Sequence, residues 1–307
     1  MKNAREPATT GAASPAPLGA TGAGERALAF ACAGETLPGI LAGTGTNADC
    51  AVVIVVGGPQ YRAGSHRQFV QLARRLAAAG WPSLRFDVRG MGDAGGAPRN
   101  FEALDDDIAA AIDALGVALP GVRRIVLWGL CDGASAALLY VQRRRDPRVA
   151  GLCLVNPWVR QAASLARVHV KHYYRRRIRE REFWAKMLDA RAAWAASVEF
   201  VRNLRLALAG ANPAGGRAMS FREQMAAGWR RHAGPLLLVT SGADLTAEEF
   251  LQCARSDPAW RGAFSRPGLA HVAIDGADHT CSRAGDRLAL ESSLLRWLDA
   301  EFGRCRR

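Results

Sequence analysis

The chain has 307 residues, 49% of them hydrophobic and 22% charged, a composition typical of a globular protein with a sizeable buried core. Its seven cysteines lie far apart and form no C-x-x-C pair, so they indicate neither a disulfide framework nor a zinc cluster, and a reducing cytoplasm is expected. No apolar run approaches the roughly 18 residues that a membrane-spanning helix needs, which disfavours a membrane-spanning protein.

Residues 1–25 are rich in Ala, Gly, Pro and Thr and lack the apolar stretch of a secretory signal, so they predict a disordered N-terminal tail. Strand and helix patterns then alternate. The predicted strands are 27–32, 37–41, 50–56, 83–87, 124–128, 149–155, 236–240 and 271–274. The predicted helices that accompany them are 65–79, 101–115, 133–144, 247–255 and 284–302. This order predicts an α/β fold with a mostly parallel central sheet flanked by helices, whose core comprises 26–156 and 233–307.

Residues 157–232, called the basic insertion below, interrupt this alternation. Within them, 159–232 carry 16 Lys/Arg and 5 Asp/Glu, so +11 of the net charge of +13 lies in this segment. We interpret it as a helical lid with a solvated basic face, ending in a shorter helix at 221–229. In the alternative interpretation the basic face binds an anionic membrane surface, which would hold the protein peripherally at the inner membrane. No base-reading motif indicates nucleic acid as a partner.

The strongest local motif is Gly129-Leu130-Cys131-Asp132-Gly133, which lies between a predicted strand and a predicted helix. This context predicts a nucleophile elbow, a turn so sharp that only small residues fit two positions either side of the nucleophile. Gly129 and Gly133 meet that condition, and Cys131 stands at the head of the helix, where backbone N–H groups favour a thiolate. The alternative is that Cys131 is a small buried hydrophobic residue in a turn.

An acid and a histidine follow the motif in the chain order nucleophile, acid, base. Asp244 follows the predicted strand 236–240, and His279 follows the last predicted strand. We expect His279 to act as general base and Asp244 to orient it, with Asp275 and Asp278 as alternative acids. Cys281, two residues after His279, is interpreted as a bystander or, alternatively, as a second thiol.

An acyl-transfer site also needs N–H groups directed at a developing oxyanion. The N–H of Asp132 supplies the first, since it follows the nucleophile. The loop at 56–61 should supply the second, and because Pro59 has no N–H, the donor is predicted to be Gln60 or Gly58. The Gly-Gly pair in this loop is also compatible with a simple turn. No metal and no organic cofactor are expected.

These motifs together resemble the α/β-hydrolase superfamily, in which F-D-x-R-G-x-G, G-x-nucleophile-x-G and a late Asp and His recur. The first motif is residues 86–92. More narrowly, the segments 57–62, 64–67, 244–250 and 278–280 resemble the exosortase A system-associated hydrolase 1 family. That resemblance implies a bacterial cytoplasmic hydrolase linked to exosortase protein sorting and exopolysaccharide production. The departure from the superfamily is Cys131, where serine is usual.

The expected function is cleavage of an ester, lactone or thioester through Cys131, His279 and Asp244 and a covalent acyl-enzyme. The acyl substrate is expected to be a small molecule or lipid-linked. An acyltransferase using the same residues is the first alternative, which product analysis with added acceptors would separate. The second is a non-catalytic binding module that docks on anionic lipid or on a partner through the basic insertion.

Overall fold

A central β-sheet organises the protein in a computed structural model, which describes residues 17–20, 24–44, 48–58, 60–160 and 219–303. Its nine strands are β1 Pro17–Ala20, β2 Glu25–Cys32, β3 Glu35–Ala42, β4 Cys50–Val55, β5 Ser83–Phe86, β6 Arg124–Leu130, β7 Val149–Val155, β8 Leu236–Ser241 and β9 Leu269–Ile274. Their order is β1-β2-β3-β5-β4-β6-β7-β8-β9. Six neighbouring strands of this order, β5, β4, β6, β7, β8 and β9, are parallel. Strands β1, β2 and β3 add an antiparallel edge.

Helices cover both faces of this sheet. Among the described residues the α-helices are α1 Gln68–Ala78, α2 Asp105–Ala118, α3 Asp132–Arg144, α4 Phe221–Arg231, α5 Leu245–Ser256 and α6 Ala284–Phe302. Helices α1 and α6 join one face of β4 in a continuous apolar core, whereas α2, α3 and α4 pack together. Every residue of β4 and of β8 is buried, because parallel strands covered on both sides need apolar side chains in both directions. The predicted α/β fold is therefore confirmed.

Strand β1 lies within the segment that the sequence predicts to be a disordered tail. It pairs antiparallel with β2, so the prediction is corrected at 17–20. Glu25, the last residue of the predicted tail, begins β2 and is buried against Arg74 and Arg85, at 2.9 and 3.3 Å. An edge strand needs only backbone hydrogen bonds with its neighbour, so its side-chain pattern carries little signal.

The strand order reverses beside β4, and this reversal places the candidate site. Strand β5 lies on one side of β4 and β6 on the other, so the two loops that follow β4 and β6 diverge from the same edge of the sheet. In open α/β sheets the crevice at such a switch point is where ligands bind. Gly57 and Gly58 follow β4 there, and Cys131 follows β6.

The chain divides into two compact units, Met1–Trp158 with Ser220–Arg307, and Val159–Met219. Helix α4, inside the predicted basic insertion, belongs to the first unit and packs closely on α3, since a side chain at Gly228 would meet the carbonyl oxygen of Leu138 at 2.1 Å. Residues 161–218 lie outside the described residues, so the lid stays a prediction. Across the described residues, no helix has both the length and the apolar character that crossing a membrane requires.

Candidate active site

Cys131 occupies a strained turn between β6 and α3. Its φ of 59° and ψ of −123° lie in a region that L-residues rarely adopt, and it forms the N-cap of α3. A Cβ at Gly129 would lie 2.4 Å from the carbonyl carbon of Gly133, and one at Gly133 would lie 2.5 Å from the carbonyl oxygen of Val55. Both glycines of the motif are thus required by close backbone approach, and the turn has the geometry of a nucleophile elbow.

The backbone around Cys131 is tied to the neighbouring strand. The Cys131 N–H donates to the carbonyl of Val155 at 2.9 Å, and the Cys131 carbonyl accepts from the N–H groups of Ser135 and Trp158, each at 3.2 Å. The Ser135 hydroxyl closes the turn by donating to the carbonyl of Trp158 at 2.7 Å. The thiol therefore projects from a fixed backbone and stays partly exposed.

His279 and Asp244 meet beside this turn. The Nδ1 atom of His279 lies 2.8 Å from Oδ2 of Asp244, and the imidazole also forms a side-chain hydrogen bond with Cys131. Asp244 is the N-cap of α5, where its carboxylate accepts from the N–H groups of Thr246 and Ala247 at 3.1 and 3.2 Å. The three predicted side chains thus form one continuous hydrogen-bonded row.

Attraction between opposite charges on His279 and Asp244 stabilises this row. The hydrogen bonds from His279 to Asp244 and to Cys131 raise the pKa of the imidazole to about 10. Burial acts to raise the pKa of Asp244, but the hydrogen bonds from His279 and from the α5 N–H groups bring it below its ordinary value. A protonated His279 beside an ionised Asp244 is therefore the favoured state near neutral pH.

Asp278, one of the two alternative acids, and the alternative thiol Cys281 are engaged elsewhere. Asp278 accepts from the N–H groups of Thr280 and Ser282 at 3.1 and 2.9 Å, so it stabilises its own turn. Cys281 is 2% exposed, and burial raises its pKa. The structure pairs His279 with Asp244.

Asn156 is a supporting residue that the sequence analysis missed. It follows β7, is fully buried and adopts a φ of 45°. Its Nδ2 donates to the Ser241 hydroxyl at 2.9 Å and to the His279 carbonyl at 3.1 Å, while its Oδ1 accepts from the Ser241 N–H at 2.8 Å. One side chain thus links the ends of β7 and β8 to the histidine loop. An asparagine directly after a buried strand is a weak sequence signal, since asparagine tolerates this backbone region.

The two oxyanion donors predicted from the loop at 56–61 already have partners. The Gly58 N–H donates to Oδ2 of Asp132 at 2.7 Å, and the Gln60 N–H donates to the Gly58 carbonyl at 2.8 Å. The other carboxylate oxygen of Asp132, Oδ1, is buried and has no hydrogen-bond partner among the described residues. The side chain of Asp132, which the sequence analysis used only for its N–H, therefore lies where an oxyanion would bind.

A cavity of about 220 Å³ opens beside this carboxylate. Val88, Met91, Phe101 and Arg99 contribute to its walls together with Asp132. Its lining is mostly apolar, apart from the charged Arg99 and Asp132. Among the described residues, no group of three or more His, Cys, Asp or Glu side chains could hold a metal ion.

Residues 47–249 match the family model described as serine aminopeptidase, S33, a match that covers about two thirds of the chain. The chain belongs to this family of α/β hydrolases. Its members are named for a serine, whereas this S33-family chain has Cys131 at the elbow.

Solved structures share the fold of this S33-family chain. The esterase Pf2001 of Pyrococcus furiosus aligns with a TM-score of 0.60 and 16% identity over 91% of this chain and 93% of that one. Est1E of Butyrivibrio proteoclasticus, solved with ferulic acid, aligns with a TM-score of 0.57 and 15% identity over 89% and 98%. The α/β hydrolase GrgF of Penicillium sp. sh18 aligns with a TM-score of 0.58 and 18% identity over 90% and 98%. A search of curated proteins found no match. Likenesses at these identities establish the fold alone.

Proposed function

We propose that this S33-family chain is a cysteine acyl hydrolase that cleaves an ester, lactone or thioester through Cys131, His279 and Asp244. The observation that carries the proposal is the hydrogen-bonded row from Asp244 through His279 to a cysteine held in a strained elbow. The names of the neighbouring esterases support the reaction class. The binding-module alternative gives no reason for this row to form.

In the proposed reaction the Cys131 thiol has already passed its proton to His279, and the thiolate sulfur attacks the acyl carbon. The tetrahedral intermediate collapses when His279 returns that proton to the leaving group, which departs and leaves an acyl thioester on Cys131. Water then attacks the thioester with His279 as base, and the carboxylic acid is released with the free thiol. Asp244 holds the imidazole by Nδ1 and stabilises its protonated form.

The test compares Cys131→Ala with Cys281→Ala on an activated thioester, using initial rates and the intact mass of the protein. The proposal predicts that Cys131→Ala abolishes turnover and the acyl adduct, whereas Cys281→Ala keeps both. Full turnover in Cys131→Ala would contradict it. Product analysis with alcohols or amines as added acceptors distinguishes hydrolysis from acyl transfer, the alternative that uses the same three residues.

The narrower assignment is also part of the proposal. The segments 57–62 and 244–250 support membership of the exosortase A system-associated hydrolase 1 family, and with it a role beside exopolysaccharide production in a bacterial cytoplasm. Deleting the gene and measuring secreted exopolysaccharide tests this role, and unchanged output would count against it.

A further inference from the structure

The side chain of Asp132 is the feature of this site that the proposed reaction does not use. It is the first residue of α3, a helix of 13 residues, and its Oδ2 accepts the Gly58 N–H at 2.7 Å, while its Oδ1 is buried without a hydrogen-bond partner in the part of the chain that the structure describes. Backbone N–H groups at the start of a helix form a favourable site for an anion. In this protein the anion is its own carboxylate.

The loop after β4 fits closely around this carboxylate. A Cβ at Gly57 would lie 2.0 Å from Oδ1 of Asp132 and 2.2 Å from the Gly133 nitrogen. The second donor of an oxyanion hole must come from this same loop, and the Gly58 N–H already donates to Asp132. The carboxylate and an oxyanion on the substrate would therefore compete for the Gly58 N–H.

Two negative charges in one small site disfavour each other, so the hole cannot hold both. The charged groups that face Asp132 are His279, whose charge interacts with the carboxylate, and Arg99, which shares the cavity wall with it. Burial raises the pKa of Asp132, although the hydrogen bond from the Gly58 N–H opposes this effect. The ionised side chain is therefore held less favourably than it would be in water, and an arriving group can displace it. The cavity of about 220 Å³ next to the carboxylate provides the space to receive it.

We propose that Asp132 is a resident anion in the oxyanion hole, which the acyl group of a substrate must displace toward the adjacent cavity before Cys131 can be acylated. This inference rests on the proposed function. It makes Asp132 a residue that restrains turnover, and it predicts that acyl groups reach the hole more readily when the carboxylate is removed.

Two variants separate the volume of the side chain from its charge. Asp132→Ala empties the hole, and Asp132→Asn keeps the shape while removing the charge. With an activated thioester, we expect kcat/KM to rise about tenfold or more in both variants, since one oxyanion-hole donor is worth about 10²–10³ in rate.

Acetate binding is the second test. Acetate at millimolar concentration should bind in the hole of Asp132→Ala, inhibit this variant competitively and raise its melting temperature. It should have none of these effects on the wild type. Asp106→Ala, which removes an exposed acid from the first turn of α2, is the matched control and should behave as the wild type.

Lower kcat/KM in a folded Asp132→Ala, with acetate restoring activity, would overturn the proposal, because the carboxylate would then assist the reaction. Unchanged kcat/KM together with no stabilisation by acetate would overturn it as well. The melting-temperature assay needs no turnover. If no variant forms an acyl-enzyme yet acetate stabilises only Asp132→Ala, the proposed function fails while the occupied hole stands.

Discussion

His279 lies between a carboxylate and a thiol, and its pKa of about 10 follows from those two contacts. Because this value exceeds the ordinary value of 6.5 expected in the unfolded chain, protonated His279 stabilises the fold fully below about pH 6.5. That contribution is lost as the pH rises through 10. We therefore expect the difference in unfolding free energy between wild type and His279→Ala to shrink steadily from pH 7 to pH 10.

Denaturant unfolding at each pH measures this difference. Asp244→Asn is the control, since it removes the main cause of the raised pKa and should flatten the pH dependence. A difference between wild type and His279→Ala that stays constant across this range would contradict the account.

The Asn156 side chain contacts His279 only by donating to its backbone carbonyl, so we assign Asn156 a positioning role. Asn156→Gly accepts the φ of 45° and removes only the side-chain hydrogen bonds, at a cost of about 1–3 kcal/mol of stability. Asn156→Ala adds backbone strain to that loss. If the role is positioning, kcat falls in Asn156→Gly while KM changes little, and the pH profile of kcat shifts. A stability loss with an unchanged kcat and pH profile would reduce Asn156 to a structural residue.

At the scale of elements, the elbow depends on how closely β4, β6 and α3 approach one another. Gly133→Ala places a Cβ 2.5 Å from the Val55 carbonyl oxygen, which we expect to destabilise the fold by about 1–3 kcal/mol and to move Cys131. Gly116→Ala in α2 meets no atom within 4 Å and should stabilise by about 0.5–1 kcal/mol. Thermal unfolding of both variants checks the pair. Equal changes in stability for the two variants would show that the close approach at Gly133 does not limit the stability of the fold.

Most elements could be predicted from the sequence because their patterns are strong. The bounds of β7 and of α6 agree with the prediction at both ends, since a continuous apolar run and a long helical period leave little ambiguity. The predicted helix at 65–79 instead begins at Gln68, because His66 and Arg67 adopt left-handed φ values of 51° and 58° that a right-handed helix does not allow. Strand β1 had no side-chain pattern to reveal it.

The chain order of Cys131, Asp244 and His279 predicted a site whose members the structure does bring together, though their catalytic roles stay predictions. The direction of the Asp132 side chain and the contacts of Asn156 could not be predicted. Both depend on how separate loops approach in three dimensions, which no local pattern in the sequence reports.

At the scale of the whole molecule, the uneven charge makes the alternative interpretation of the basic insertion testable. The sequence concentrates positive charge in 159–232, and we propose, as the alternative to a solvated lid, that this segment binds an anionic membrane surface, with a lipid-linked acyl substrate as one consequence. Since each basic side chain near such a surface contributes about 1 kcal/mol, replacing Arg175, Arg176 and Arg177 by Gln should weaken binding roughly a hundredfold.

Co-sedimentation with anionic and with neutral vesicles measures this binding, which should also fall as salt rises. The control replaces three exposed arginines of the core unit by Gln, namely Arg75, Arg123 and Arg261. Equal loss in both triple variants, or equal binding to neutral vesicles, would contradict a specific role for the basic insertion.

The most direct test of the central claim is the alkylation rate of every cysteine from pH 5 to pH 9, mapped by peptide mass spectrometry in wild type and in His279→Ala. An activated thiol reacts with a neutral alkylating agent at low pH, where ordinary thiols are inert. The account predicts that Cys131 reacts first, already near pH 6, and that its rate at that pH falls when His279 is removed. Alkylation of Cys131 no faster than that of the buried Cys153 or Cys281, or an unchanged rate in His279→Ala, would contradict it.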